Sequence, residues 1–240
     1  LIKDNYVREQ LRDLRKKKIK DLYSAKFKVN GYYTFLLPDL YAFCEWLFMN
    51  KQIPNGLLAG GEVYCKLHEF NKEVDCLRSP HLYFEHAIRN NVVNPDIQKW
   101  FTTNACYTST HDVISKVLQF DVDGDKTLIL QDNNIINVAK RNQVGVVPLY
   151  YNMRKAAKEK VTSESRYRGL STAFTGGNIG VVSNNISKIK NSQEIRTPET
   201  KQEAIDCLKY LCMVNNELID FAKTLYKSTP PKQVNEIISK

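Results

Sequence analysis

From residue 28 onward the apolar positions fall in short runs broken by turn residues, whereas beyond residue 132 they recur at three- and four-residue spacing. Seven of the short runs read as strands, over 32–37, 61–67, 74–77, 82–88, 105–107, 117–120 and 127–130. So many short strands with few helices among them predict a closed β-barrel rather than a parallel sheet with crossovers. Asp39 is placed to cap a buried helix through Met49, and Pro54-Asn55-Gly56 marks a turn. Ahead of the strands, residues 1–24 read as a basic helix with Leu11, Leu14 and Leu22 as a sparse apolar stripe.

The remainder reads as mostly helical. Pro148 is suited to open a helix through Lys160, and the glycine-rich run 175–180 interrupts the helical pattern. Thr200 and Glu203 have capping-box spacing for a later helix. Its apolar residues Ile205, Leu208, Leu211, Cys212, Leu218, Ile219, Ala222 and Leu225 share one face as core, and Pro230-Pro231 would stop it. The sequence thus divides into a basic helical segment (1–27), a β-rich part (28–146) and a mostly helical part (147–240), an α+β class.

Charge adds a partner class. The formal net charge is +9, and residues 1–28 hold ten Lys or Arg against four Asp or Glu. Such a balance suits a polyanion, and Lys16, Lys17 and Lys18, with Arg154 and Lys155 further on, are candidate phosphate contacts; a solvated charged face is the plainer reading of both runs. The six cysteines show no metal-ligand or secreted-domain spacing, so they read as reduced thiols of a cytoplasmic protein. The longest apolar stretch, around 40–49, is too short to cross a bilayer, and no membrane partner is expected. The chain begins at Leu1 rather than Met, so it reads as a piece of something longer.

The candidate chemistry is concentrated in 121–125, Asp-Val-Asp-Gly-Asp, between two apolar runs. In extended backbone alternate side chains share a face, and Gly124 lets the chain bend so that Asp121, Asp123 and Asp125 converge. Three like charges so close call for a cation, and oxygen donors without nearby Cys or His select Mg²⁺, Mn²⁺ or Ca²⁺ over zinc. A calcium hand also begins with alternate aspartates, and Asp132 stands at its twelfth position. That loop, however, needs glycine where this chain has Lys126, and helices on both sides. Mg²⁺ held by few carboxylates plus substrate phosphate fits phosphoryl or nucleotidyl transfer better. An acidic surface turn is the alternative without chemistry.

The order of elements Gly61-Glu62-Val63-Tyr64, then Arg78-Ser79-Pro80-His81-Leu82, then Asp121 to Asp125, resembles the catalytic double-psi β-barrel of cellular-type RNA polymerases. The single-chain members are most similar: the RNA-dependent polymerases of RNA silencing and the polymerases carried by some phages and prophages. Downstream, Gly177-Asn178-Ile179-Gly180 with Ser183-Asn184-Asn185, and Asn216 to Ala222-Lys223-Thr224, resemble that family's post-barrel motifs. The resemblance spans roughly 28–232.

It implies that Asp121, Asp123 and Asp125 hold catalytic Mg²⁺ in two-metal chemistry, Mn²⁺ being a possible substitute, and that Arg78 lies near the ribose of the incoming nucleotide. It also implies nucleoside triphosphates, a nucleic-acid template and an RNA product as partners, together with a second barrel supplying lysines from the rest of the parent polymerase. The fragment alone is then expected to be inactive. The stretch after Arg78 departs from the silencing enzymes, which tilts the expectation to the phage branch and a DNA template, with an RNA template as the alternative within the family. A calcium-binding or nucleic-acid-binding module without catalysis is the alternative from another class.

Overall fold

The structure, a computed structural model, describes residues 2–23, 26, 28–78, 81, 83–150, 154 and 157–239. In chain order its elements are α1 (Asn5–Tyr23), β1 (Gly31–Pro38), α2 (Leu40–Met49), β2 (Glu62–Tyr64), β3 (Lys72–Arg78), β4 (Ala87–Asn91), α3 (Pro95–Trp100), β5 (Cys106–Thr108), α4 (Ile114–Leu118) and β6 (Lys126–Leu130). The later helices are α5 (Asn133–Asn142), α6 (Ser163–Thr175), α7 (Ile179–Asn191), α8 (Pro198–Ile219), α9 (Phe221–Thr224) and α10 (Lys232–Ser239). They form two units, one of Leu1–Cys76, Ile88–His111 and Lys126–Ala139, the other of Leu77–Ala87, Asp112–Asp125 and Lys140–Lys240.

The first unit is built on the expected closed barrel, with strand order β1-β5-β2-β4-β3-β6 among the described residues. β1 runs parallel to β5 and antiparallel to β6, with Leu36 opposite Cys106 and Tyr33 opposite Leu128. Side chains alternate across each strand, so Leu36, Val63, Val74, Cys76, Cys106 and Ile129 are buried while Tyr33 and Phe35 face outward. Burial pushes the Cys65 thiol up to about 11, so it is an inert packing group rather than a nucleophile. A second cluster packs α3 against the strands: Tyr64, Ile97, Phe101 and Tyr107, with Phe101 and Tyr107 stacked at 4.2 Å.

The strand count is six rather than seven among the described residues. Residues 117–120 are not a strand: they end α4, where Gln119 adopts a left-handed conformation (φ 53°) and its backbone N–H donates to the Ser115 carbonyl. The strand expected over 82–88 lies instead at Ala87–Asn91. Asp39 does cap α2, accepting from the Tyr41 and Ala42 amides at 3.1 and 3.3 Å. The helix is not buried, however; only Ala42 and Glu45 are inside, and Phe43, Trp46 and Phe48 are exposed. α1 forms as expected, with its leucine stripe also exposed.

In the second unit α7, α8 and α10 share a core of Ile186, Ile189, Leu208, Leu211, Val234 and Ile237. Leu208→Ala empties a fully buried site there and should cost about 2–5 kcal/mol, read as a lowered denaturation midpoint. The interruption expected over 175–180 is narrower, at 176–178 between α6 and α7, and Gly176 there has no room for a side chain, since a Cβ would lie 2.1 Å from Cε1 of Phe221. α8 begins at Pro198, so Thr200 is in its first turn and donates to the Glu194 carbonyl at 2.8 Å instead of capping with Glu203. It ends at Ile219, before Pro230. The helix expected over 148–160 is absent from the described residues of that stretch: 148–150, 154 and 157–160 are non-helical. Residues 157–160 are wholly exposed, and a short charged segment without a buried face does not hold a helix in water. No helix among the described residues is long and apolar enough to cross a membrane.

Candidate active site

The aspartate loop belongs to the second unit and is set up by the residues that precede it. Ile114, Leu118 and Phe120 are buried and anchor α4 and its exit, while the turn at Gln119 redirects the chain into Asp121. Within the loop the Asp121 amide donates to Asp125 Oδ2 at 3.2 Å, and the Asp123 amide to Asp121 Oδ1 at 3.3 Å. Gly124 takes φ 135°, a conformation closed to other residues, and so folds the loop back on itself. One carboxylate oxygen from each of Asp121, Asp123 and Asp125 lies within 4.8 Å of the other two. Asp125 is covalently followed by Lys126, the first residue of β6.

The three carboxylates influence one another's charge. Asp121 is held above the usual carboxylate range, chiefly by its hydrogen bond with Asp123, with burial and the neighbouring charges adding. Asp123 is held below it by that same bond, assisted by Lys223 and Arg78. Three carboxylates converging so closely, with oxygen as their only donor atoms, are the kind of set that a hard divalent ion holds together. The residues therefore fit a divalent metal, which all three aspartates would hold.

Two cations face the loop. Arg78, at the end of β3, has Nε 3.2 Å from Asp125 Oδ2, and its Nη1 donates to the Gln119 carbonyl. Its side chain is only 18% exposed. Lys223 lies 3.5 Å from Asp123 Oδ2 and 3.4 Å from Asp220 Oδ1. Asp220 and Asp123 hold it above the ordinary ammonium range. Arg78, the three aspartates, Asn216 and Lys223 are among the residues lining a cleft of about 340 Å³, large enough for a small ligand.

Gln119 ties this cleft together. Besides the carbonyl bonded to Arg78, its side-chain oxygen accepts from Asn216 Nδ2 at 2.9 Å, and its Nε2 donates to the Leu149 carbonyl at 2.5 Å. Gln119 and Asp220 are not among the site residues expected from sequence. The signal for Asp220 is its position three residues before Lys223; Gln119 offers none. Lys16, Lys17 and Lys18 are exposed on α1 in the first unit, Arg154 is exposed in irregular chain, and Lys155 lies outside the described residues, as do Ser79 and Pro80. Asp132 is not among the clustered carboxylates; it accepts from the Asn134 and Ile135 amides at 2.9 and 3.3 Å and so opens α5. With β6 rather than a helix after the loop, the calcium-hand reading loses both its twelfth ligand and its frame.

No protein-family model matches the chain. It is 48% identical over 239 residues, 99% of its length, to the DNA-directed RNA polymerase YonO of Bacillus phage SPbeta, and spans 27% of that protein. Among solved structures it is similar to the RNA dependent RNA polymerase QDE-1 from Thielavia terrestris, with a TM-score of 0.53 and 15% identity over 98% of this chain and 27% of that one. The second likeness bears on the fold, an α+β double-psi β-barrel architecture as expected. Over nearly its whole length, then, the chain is a homologue of one segment of a phage DNA-directed RNA polymerase.

Proposed function

We propose that this chain is the metal-carrying part of a template-directed RNA polymerase that reads DNA. The observation that carries the reading is the convergence of Asp121, Asp123 and Asp125 in a chain so similar to a segment of a DNA-directed enzyme. The ion is Mg²⁺, with Mn²⁺ as a substitute. When bound it would activate the RNA 3′-hydroxyl and stabilise the attacking and leaving oxygens of nucleotidyl transfer. The three carboxylates orient around that position, and Arg78 presents its guanidinium at the same cleft, toward the ribose of the nucleotide. The exposed lysines of α1 and Arg154 follow template and product backbones through phosphate contacts that carry no sequence information.

The rest of the parent polymerase supplies what this segment lacks, including a second barrel with lysines for the substrate phosphates. The exposed apolar side of α2 supports such a partner, since Phe43 and Trp46, with ring centroids 5.9 Å apart, lie on the same helix side as the exposed Leu40 and Leu47, a surface suited to burial against further protein. The isolated segment is therefore inactive. The test is incorporation of labelled nucleotides by the full-length protein on matched single-stranded DNA and RNA templates. Mg²⁺-dependent product on DNA is the expected result. Product on RNA alone would transfer the chain to the RNA-dependent branch, and no product on either would reject the reading.

A further inference from the structure

The two cations at the aspartate loop are held in different ways. Arg78 is largely buried and fixed from two sides, by Asp125 and by the Gln119 carbonyl. Lys223 is 66% exposed at its side chain and divides itself almost equally between Asp123, at 3.5 Å, and Asp220, at 3.4 Å. Its backbone is nevertheless well placed. The Lys223 and Thr224 amides both donate to the Asp220 carbonyl at 2.9 Å, and Phe221 and Thr224 are buried on either side of it. A fixed backbone with a long, solvated stem gives the ammonium two carboxylates within reach and a short path between them.

We infer that Lys223 is an exchangeable counter-cation of the aspartate loop: it neutralises Asp123 while no divalent ion is bound, and passes to Asp220 when an ion takes Asp123. This rests on the proposed metal site. Three aspartates left to themselves repel, and a lysine resident on one of them offsets part of that repulsion while it occupies a carboxylate that the ion must take. Asp220 is the other half of the device. It receives the displaced ammonium, so metal entry does not strand a cation beside a dication. Lys223 is thus a positioning residue that sets metal affinity, with no part in bond making.

The test is Mn²⁺ binding to the full-length protein without nucleotide, followed by electron paramagnetic resonance, with folding checked by thermal melting. Lys223→Met removes the competitor and should tighten Mn²⁺ binding roughly threefold to tenfold at low salt, and less at high salt. Lys223→Arg keeps the charge and should leave the affinity near that of the unaltered protein. Asp220→Asn deprives the lysine of its second partner and should weaken binding, an effect that disappears when combined with Lys223→Met. Unchanged affinity in Lys223→Met, or additive effects in the double variant, would overturn the exchange while leaving the polymerase reading intact. Mn²⁺ binding that survives loss of all three aspartates would overturn the metal site itself.

Discussion

Asp123→Ala in the full-length protein is expected to lower nucleotide incorporation by about a thousandfold or more, the scale of removing a group that stabilises charge in the transition state. Asp123 is the loop carboxylate that hydrogen-bonds Asp121, and it carries the contact to Lys223. Its loss leaves two carboxylates where three converged. The fold should survive, because the residue is exposed and no described backbone group depends on its side chain. Relief of crowding among like charges should leave the melting temperature unchanged or raise it. Incorporation assays paired with thermal melts read both outcomes, and a variant that incorporates at the normal rate would remove the loop from the chemistry. Asp123→Asn, with the same shape and no charge, should fail nearly as completely, since the ion requires the charge.

The aspartate loop was legible because its chemistry is local: alternate carboxylates around one glycine fix both the donors and the bend. β1 and β6 were legible as short apolar and aromatic runs bounded by turn residues, and they pair antiparallel. Residues 117–120 were not, since an apolar run that short fits a strand or the last turn of a helix equally well. The deciding feature is the left-handed turn at Gln119, a residue type that does not announce one. At α8 the proline at 198 competed with the Thr200–Glu203 pattern and won, because its ring suits a first turn regardless of the residues behind it. α2 shows another limit: its apolar run and Asp39 marked the helix and its cap, but an exposed apolar face reads in sequence like a buried one. The bond between Gln119 and Asn216 joins positions 97 residues apart, a separation that no spacing rule covers.

Arg78→Ala should act on both stability and activity. The side chain is mostly buried and serves two different groups, pairing by charge with the Asp125 carboxylate at 3.2 Å from Nε and donating from Nη1 to the Gln119 carbonyl. Removing it leaves the Gln119 carbonyl without that donor and the partly buried Asp125 carboxylate without its cation, at a cost of about 1–3 kcal/mol. It also frees the loop at both of its ends, since Asp125 closes it and Gln119 opens it. Incorporation should therefore fall by about a hundredfold or more, the scale of one lost charge-stabilising donor. Lys is the informative substitute. A planar guanidinium reaches two acceptors in fixed directions, whereas a single ammonium is a point charge that satisfies one of them. Arg78→Lys should accordingly recover part of the stability and little of the activity. Full recovery with Lys, in denaturation and in kcat/KM for the nucleotide, would mean that charge alone matters there and that the fork between Gln119 and Asp125 does not organise the site.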